Sequence, residues 1–296
     1  MTSLKSGNLF PTDIVTDIFS KVKGHSTLAK LSNQSPIPFS GTTEFIFNMD
    51  GNAQIVGEGE QKGAGSATLT PKVIKPIKLV YQARITDEFK YASEEKKINY
   101  LKAYSEGFAV KIAEAFDIAG IHGLEPKTLS DASFKATNSF DGVISGNTVV
   151  FDAGKIDENI DAAVAQVTAK GGEVTGLALS PLAGQSLAKI KVNGVAQYPE
   201  FRFGQNPDSF YGMKSDINKT LTVKGGTAET DHVIAGDFQK AFKWGYAEHI
   251  PLEIIEYGDP DGSGRDLKAY NEICLRTEAY IGWGILDPDA FARVKA

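Results

Sequence analysis

The chain has little of what disulfide-bonded, zinc-binding or membrane proteins need. Its 296 residues include one cysteine, Cys274, which excludes an intramolecular disulfide and a cysteine-rich zinc site. No run of about eighteen apolar residues occurs, and residues 1–10 contain no apolar stretch, so we expect neither a membrane span nor a secretion signal. The sequence therefore predicts a cytosolic protein in which Cys274 is a small apolar packing residue.

Basic charge is scarce as well. Lysine and arginine number 31 against 37 aspartates and glutamates, and the formal net charge is −6. A protein that reads nucleic-acid sequence neutralises phosphates with a basic surface, so we expect no sequence-specific binding to DNA or RNA. Hydrophobic residues make up 42% of the chain, which is enough for a folded protein with a substantial core.

Histidines are few and dispersed. His25, His122, His232 and His249 form no pair at metal-ligand spacing, because no two of them lie three to five residues apart. Each is interpreted as a surface or packing residue.

Two segments begin like binding motifs and then depart from them. Gly57 and Gly59 start a dinucleotide-binding fingerprint, but Lys62 stands where the third glycine belongs, and no helix follows directly. Segment 259–266 starts like a calcium loop, but Tyr270 stands where a bidentate glutamate belongs. We interpret the first segment as a flexible loop and the second as a hairpin turn.

Ser180 follows a predicted buried strand, as the nucleophile of many hydrolases does. Ala178 and Leu182 occupy the positions where a nucleophile elbow has glycines, so Ser180 is interpreted as a helix N-cap. We therefore predict no catalytic, cofactor-binding or metal-binding residue, and no cofactor. A cytosolic α/β enzyme whose site is assembled from scattered residues stays open as an alternative.

The first part of the chain predicts an arm followed by a ribbon. Residues Ile14–Val22 have the apolar spacing of a helix, and Pro36 and Pro38 enforce an extended path. Segments 43–47 and 69–85 are predicted to be strands, and four glycines occur in the nine positions 57–65 between them. An isolated two-stranded ribbon is marginally stable and its open edges invite pairing, so we expect this one to need a partner surface.

The remainder mixes helix and strand. The strongest helical pattern lies within 93–124, and its core of roughly 25 residues would span on the order of 37 Å. Further elements are predicted in chain order: a helix over 156–170, a buried strand over 175–179, a helix over 182–189, and strands over 209–215, 221–223, 233–237, 241–246, 252–257 and 267–280. The last two strands flank a polar turn and predict a hairpin.

The order of several short segments resembles that of a known family. Ile55–Gly59, Val73–Leu79 and Ile85–Phe89 are similar to the start of the extended loop, its return strand and the segment before the long helix in major capsid proteins of tailed bacteriophages. Further similar segments are Ala109–Gly123, Ile234–Phe238, Arg276–Trp283 and Asp287–Phe291. Each segment is short, and their common order makes the resemblance more specific.

The resemblance implies an α+β chain with the Hong Kong 97-type capsid fold. The implied parts are an N-terminal arm (1–41), an extended β-hairpin loop (42–86), a peripheral domain with a long spine helix (87–148), an axial α/β domain (149–235) and a return to the peripheral domain (236–296). Family members often carry a long N-terminal scaffolding segment that is cleaved off. Only about forty residues precede the ribbon here, so scaffolding is expected to be either already removed or supplied separately.

The resemblance also implies a function without an active site. The chain would assemble with itself, as hexamers and pentamers, into an icosahedral shell around double-stranded DNA, in a virion built in the cytoplasm of a host bacterium. Implied partners are a scaffolding protein, a portal protein and a decoration protein, with non-specific contact to packaged DNA and none to membranes. The candidate residues for contact between subunits lie in the loop: Gly57, Glu58, Gly59, Glu60, Lys62, Gly63 and Gly65.

An encapsulin-type compartment, which has the same fold and encloses enzymes, is the second interpretation. The loop and C-terminal segments are more similar to the phage proteins, while composition favours neither.

Overall fold

The structure is a computed structural model that describes residues 22, 24–50, 53, 55–247 and 252–296. The helix predicted over Ile14–Val22 lies outside these residues except for Val22, and so does His249. The described chain mixes helices with four sheets, as the predicted α+β class requires.

The helices are numbered in chain order. They are α1 (Thr27–Leu31), α2 (Glu94–Asp117), α3 (Lys135–Asn138), α4 (Phe140–Val143), α5 (Ile156–Ala169) and α6 (Pro181–Lys189). Short 3₁₀ segments cover Asp87–Tyr91, Pro199–Gly204, Lys219–Thr222, Lys268–Tyr270 and Pro288–Ala290. In the part of the chain that the structure covers, no helix combines the length and the apolar character that a bilayer crossing demands.

The strands are β1 (Thr42–Asp50), β2 (Ser66–Ile74), β3 (Ile77–Thr86), β4 (Thr148–Val150), β5 (Gly176–Leu179), β6 (Lys191–Val192), β7 (Val195–Ala196), β8 (Ser209–Phe210), β9 (Met213–Ile217), β10 (Asp231–Gly236), β11 (Phe242–Tyr246), β12 (Leu252–Ile255), β13 (Glu272–Ile285) and β14 (Phe291–Lys295). Strands β1 and β2 form the ribbon, and β6 and β7 form a second, much shorter one.

Helix α2 confirms the long helix that the sequence predicts. Ser93 caps its start, because the side-chain hydroxyl accepts from the backbone N–H of Lys96. The helix continues into a π-helical turn, Ile118–His122, and ends at Gly123, whose φ of 63° is the left-handed conformation that glycine adopts without steric cost. His122, the last residue of this turn, is fully buried.

The six-stranded sheet has the order β4-β14-β10-β5-β9-β8 and divides two hydrophobic cores. Alternate side chains of β10 point to opposite faces, so Val233 and Ala235 pack with helices α5 and α6, whereas Ile234 packs with the end of α2. The second core also contains the fully buried Ile156, Val167 and Leu187. The predicted helices over 156–170 and 182–189 and the strand over 175–179 are confirmed within one residue or so at each end.

The four-stranded sheet is organised around β13, the longest strand. On one side β13 pairs with β3 along ten residues, and on the other it pairs with β12 and then β11. The pairing of β12 with β13 confirms the predicted hairpin. Together with α2 this sheet encloses the first core, which includes Trp244 and Trp283.

Three local features differ from the sequence predictions. The segment 69–85, predicted as one strand, is two strands: β2 pairs with β1, and β3 leaves the ribbon after Pro76 to pair with β13. Proline has no N–H for the ladder, which explains a change of partner at this point. Residues 221–223 form no strand, because Leu221 and Thr222 belong to the 3₁₀ segment Lys219–Thr222. The C-terminal residues form β14, a strand that joins the six-stranded sheet between β4 and β10.

Candidate functional site

One face of the ribbon is apolar and exposed. Residues directly opposite each other in an antiparallel pair share a face, which places Phe45 with Pro71, Phe47 with Leu69 and Thr43 with Val73. Phe45 is 63% and Phe47 60% exposed, and Leu69 and Val73 are exposed as well. Soluble proteins rarely leave so many large apolar side chains together in water, and such patches mark interaction sites.

The opposite face holds the ribbon to the body of the subunit. The Glu44 carboxylate lies 2.5 Å from the Lys243 ammonium, and the Lys72 ammonium donates to the Thr137 carbonyl oxygen at 2.7 Å. Ile46, on the same face, is half-buried. The ribbon is therefore fixed by one face at its base, and this leaves the apolar face accessible.

The ribbon meets the body where small residues make room for it. Ile74, 1% exposed, packs over Gly282 and Gly284 of β13. A Cβ at Gly284 would lie 2.8 Å from the Ile74 Cγ1 atom, which is closer than carbon atoms approach. The position of the ribbon base thus depends on two glycines far away in sequence.

The seven candidate residues for subunit contact lie together in the connection between β1 and β2. Gly57, Glu58, Gly59, Glu60, Lys62, Gly63 and Gly65 are all exposed. Gly57 and Glu60 close a turn, because the Glu60 N–H donates to the Gly57 carbonyl at 3.2 Å and the Glu60 carboxylate accepts from the Gly57 N–H. Gly59 within that turn has a φ of 85°. Their place at the ribbon tip is the one predicted, and their contact with another subunit stays a prediction.

Asp117, which lies in the segment Ala109–Gly123 that resembles the capsid family, anchors the start of α1. Its buried carboxylate accepts from the Ser26 hydroxyl at 2.6 Å and from the N–H groups of Thr27 and Leu28 at 2.9 and 3.2 Å. Burial raises the pKa of Asp117 to about 7, although these hydrogen bonds act in the opposite direction. An aspartate at the apolar end of a predicted helix was the only sequence signal for this anchor.

A buried group of charges lies beside this anchor. His122, Asp141 and Asp231 offer ligand atoms within 4.8 Å of one another, a spacing at which such atoms can hold a metal ion. Each is already bonded within the protein, and the guanidinium of Arg293 lies between the two carboxylates and supplies positive charge. We therefore interpret the group as an internal charge network rather than a metal centre. No spacing in the sequence indicated it, because its members come from four separate elements.

Ser180 and His232 form a pair that by itself resembles part of a hydrolase site. The Ser180 hydroxyl lies 3.0 Å from the His232 Nδ1, and both side chains are buried. Ser180 also accepts from the Ala183 N–H, which confirms its predicted role as an N-cap. Burial lowers the pKa of His232, and its ring is stacked on Phe151. We therefore interpret the pair as a packing and capping contact.

In the segment that starts like a calcium loop, the carboxylates pair with an arginine from another strand rather than with a metal ion. Arg84 of β3 forms ion pairs with Asp259, Asp261 and Glu272. Asp259 also accepts from the backbone of Ser263 and Gly264, so its oxygens are committed to the turn itself. The ion pairs of Arg84 thus hold the predicted hairpin turn against β3.

The geometry described so far defines a class of protein. The described residues present a largely exposed apolar ribbon face, and their polar clusters hold segments of the chain together. These features are typical of a structural protein that offers a surface to other subunits.

Comparison with known proteins identifies the family. The profile of the family described as "Phage capsid family" matches residues 6–296. A solved chain from Mycobacterium phage Ogopogo is 32% identical, with 92% of each chain covered and a TM-score of 0.78. A chain from Gordonia phage Cozz is 24% identical, and its TM-score is 0.70. The alignment covers 100% of this chain and 91% of that one. No curated protein sequence matches.

The same fold occurs in a structure titled "Capsid of native GTA particle computed with C5 symmetry". That chain is 13% identical, the alignment covers 100% of this chain and 94% of that one, and the TM-score is 0.61. At this identity the likeness concerns the fold alone.

The chain belongs to the phage capsid family. It is a phage major capsid protein, a structural component of the virion that assembles with itself into a shell.

Proposed function

We propose that this capsid protein forms the icosahedral shell of a tailed bacteriophage around double-stranded DNA and that its ribbon face is a principal contact between subunits. The observation that carries the proposal is the exposed row Phe45, Phe47, Leu69, Pro71 and Val73. Burial of one large apolar side chain contributes roughly 1.5–3 kcal/mol. A few such side chains at every contact would add up over a closed shell, in which each interface is repeated by symmetry.

The proposal extends to the parts and partners of the subunit. We assign the arm to 1–41, the extended loop to 42–86, the peripheral domain to 87–148 and 236–296, and the axial domain to 149–235, as in the Hong Kong 97-type fold. Membership of β14 in the six-stranded sheet supports adding Phe291–Lys295 to the axial part. The shell would contain hexamers and pentamers and would be assembled in the host cytoplasm, with scaffolding, portal and decoration proteins as partners and without catalytic activity. Non-specific contact with the packaged DNA fits the net charge of −6, because an acidic protein does not bind phosphates tightly.

The test compares the two faces of one ribbon. In Phe47→Asp a charge enters the exposed apolar face, whereas in Thr68→Asp the same charge enters the other face of the same ribbon. Both variants should fold, since both positions are in exposed parts of the ribbon. We expect electron microscopy to show closed particles for Thr68→Asp and few or none for Phe47→Asp. Equal particle yields would contradict the role of the apolar face.

An encapsulin-type compartment is the second candidate, and the family match favours the phage shell. Particles purified from the natural source distinguish them, because a phage shell would contain double-stranded DNA and a compartment would contain enzymes.

A further inference from the structure

The two nitrogens of the buried His122 ring both face hydrogen-bond acceptors. Nε2 lies 2.9 Å from the carbonyl oxygen of Thr220, and Nδ1 lies 3.1 Å from Oδ2 of Asp141. The side chain is fully buried. A backbone carbonyl only accepts, so Nε2 must carry a proton and donate it. Whether Nδ1 also carries a proton depends on the state of Asp141.

The other partners of Asp141 are all donors. Its Oδ2 also accepts from the Glu229 N–H at 3.1 Å, and its Oδ1 accepts from the guanidinium of Arg293. A protonated carboxyl could give its proton only to Nδ1 of His122, because the Glu229 N–H and the Arg293 guanidinium are donors. The positive charge of Arg293 on Oδ1 favours the carboxylate over that arrangement. Asp141 is therefore ionised, in agreement with the hydrogen bond to His122 and the charge of Arg293, which together lower its pKa despite burial. It follows that Nδ1 donates and that His122 is a buried imidazolium.

The charges that face His122 come from three different elements. Asp141 belongs to α4, Asp231 to β10 and Arg293 to β14, and the Arg293 guanidinium bonds to both carboxylates. Glu229, just before β10, lies 3.1 Å from Arg293 and pairs at the half-buried rim with Lys295 of β14. Within the buried part, two cations thus balance two carboxylates. Loss of one proton from His122 would leave an unpaired negative charge in the interior, which is costly.

We propose that this charge network is a proton-dependent lock that holds the end of helix α2 to two neighbouring strands, β10 and β14, of the six-stranded sheet. The lock is closed while His122 carries two protons. When His122 loses one, its bond to Asp141 becomes a contact between two acceptors, and the π-helical turn is released from the sheet. Because α1 is anchored to Asp117 on the same helix end, the lock also sets the base of the N-terminal segment.

The direction of the pH dependence follows from the pKa of His122. Burial alone would lower it, but Asp141 and the carboxylate of Asp231 outweigh burial and raise the pKa above its usual value of about 6.5. A raised pKa in the folded state means that the stabilisation is complete below about pH 6.5 and is lost as the pH rises through the folded-state pKa. Within that window the unfolding equilibrium constant should increase up to tenfold per pH unit from this group.

The experiment reads the two ring nitrogens directly. The full chain, labelled with ¹⁵N-histidine, is studied by solid-state NMR as assembled shells, or in solution as free subunits, at about pH 6.5. We expect an imidazolium signal that disappears in His122→Gln and a neutral ring that disappears in His232→Gln, the matched control for a second buried histidine. A neutral His122 ring at about pH 6.5 would overturn the proposal.

Two further measurements separate a lock from a merely charged residue. In Asp141→Asn the pKa of His122 should fall below that in the unaltered protein, because the partner charge is gone. The unaltered protein should also lose stability to urea between pH 6.5 and 9 relative to His122→Gln. If His122→Gln does not fold, the titration of Asp141→Asn still tests the proposal. An unchanged pKa of His122 in Asp141→Asn would contradict the pairing of His122 with Asp141.

Discussion

Trp244 and Trp283 lie directly opposite each other on β11 and β13, and the ring of Phe116 from α2 contacts both. The ring centroids are 5.3 Å apart for Phe116 and Trp244 and 5.5 Å for Phe116 and Trp283. This aromatic contact joins the long helix to the four-stranded sheet at the place where the ribbon also enters the body. The stability of that junction should depend strongly on it.

Replacement of Phe116 by alanine should destabilise the subunit by about 3–5 kcal/mol, because it removes a fully buried ring and leaves a cavity. The measurement is urea unfolding of free subunits, followed by tryptophan fluorescence. Tyr91→Ala, at a position 86% exposed, serves as the control and should change stability by less than about 0.5 kcal/mol. Similar effects of both variants would show that Phe116 is not part of a close-packed core.

Two glycine-to-alanine variants should act in opposite directions. A Cβ at Gly245 would lie 1.7 Å from the Ser35 carbonyl oxygen, so Gly245→Ala must push apart β11 and the segment beside it. Gly107 is in α2 with no atom within 4 Å of its Cβ position, so Gly107→Ala should stabilise by about 0.5–1 kcal/mol. Thermal unfolding measures both. A stabilising Gly245→Ala would mean that residues 34–37 do not lie against β11 in solution.

The anchor of α1 can be tested one backbone amide at a time. In Asp117→Asn an amide N–H replaces one of the oxygens that accept from Thr27 and Leu28, and hydrogen exchange of these two amides should rise on the order of tenfold or more. Asp152→Asn, which alters an exposed turn in which the carboxylate accepts from the Gly154 N–H, is the matched control. Unchanged exchange at Thr27 and Leu28 would indicate that the buried carboxylate does not hold the helix start.

Removal of the ribbon tip should affect assembly and not folding. Replacement of Gly57–Gly65 by two glycines keeps β1 and β2 intact, because β2 begins at Ser66. The deleted residues are exposed, so the free energy of unfolding should change by less than about 0.5 kcal/mol. A loss of about 1.4 kcal/mol per contact would weaken each association constant about tenfold, so we expect the particle yield to fall on the order of tenfold or more. An unchanged yield would exclude the loop as a contact between subunits.

Local patterns in the sequence were sufficient for elements that depend on their own residues. The periodicity of 93–124 predicted α2, the serine before Pro181 predicted the cap of α6, and the apolar character of Cys274 agrees with its complete burial. The candidate residues of the loop likewise lie together, because they are neighbours in sequence.

Other features depend on which segments meet, and no local pattern specifies that. The break at Pro76 changes the partner of a strand, and β14 becomes a strand through its pairing with β10 and β4. The buried charge network joins residues that are far apart in the sequence: His122 and Arg293, which both contact Asp141, are separated by 171 positions (293 − 122).

By itself, then, the amino-acid sequence determined the class of fold, the long helix, the α/β unit and the exposed loop, because apolar periodicity and turn residues act over a few neighbouring positions. Only the tertiary structure decided which face of the ribbon stays exposed, how Asp117 holds α1, and that His122 carries two protons. Those properties arise from hydrogen bonds and burial between distant segments, and burial strengthens the effect of each charge on its neighbours.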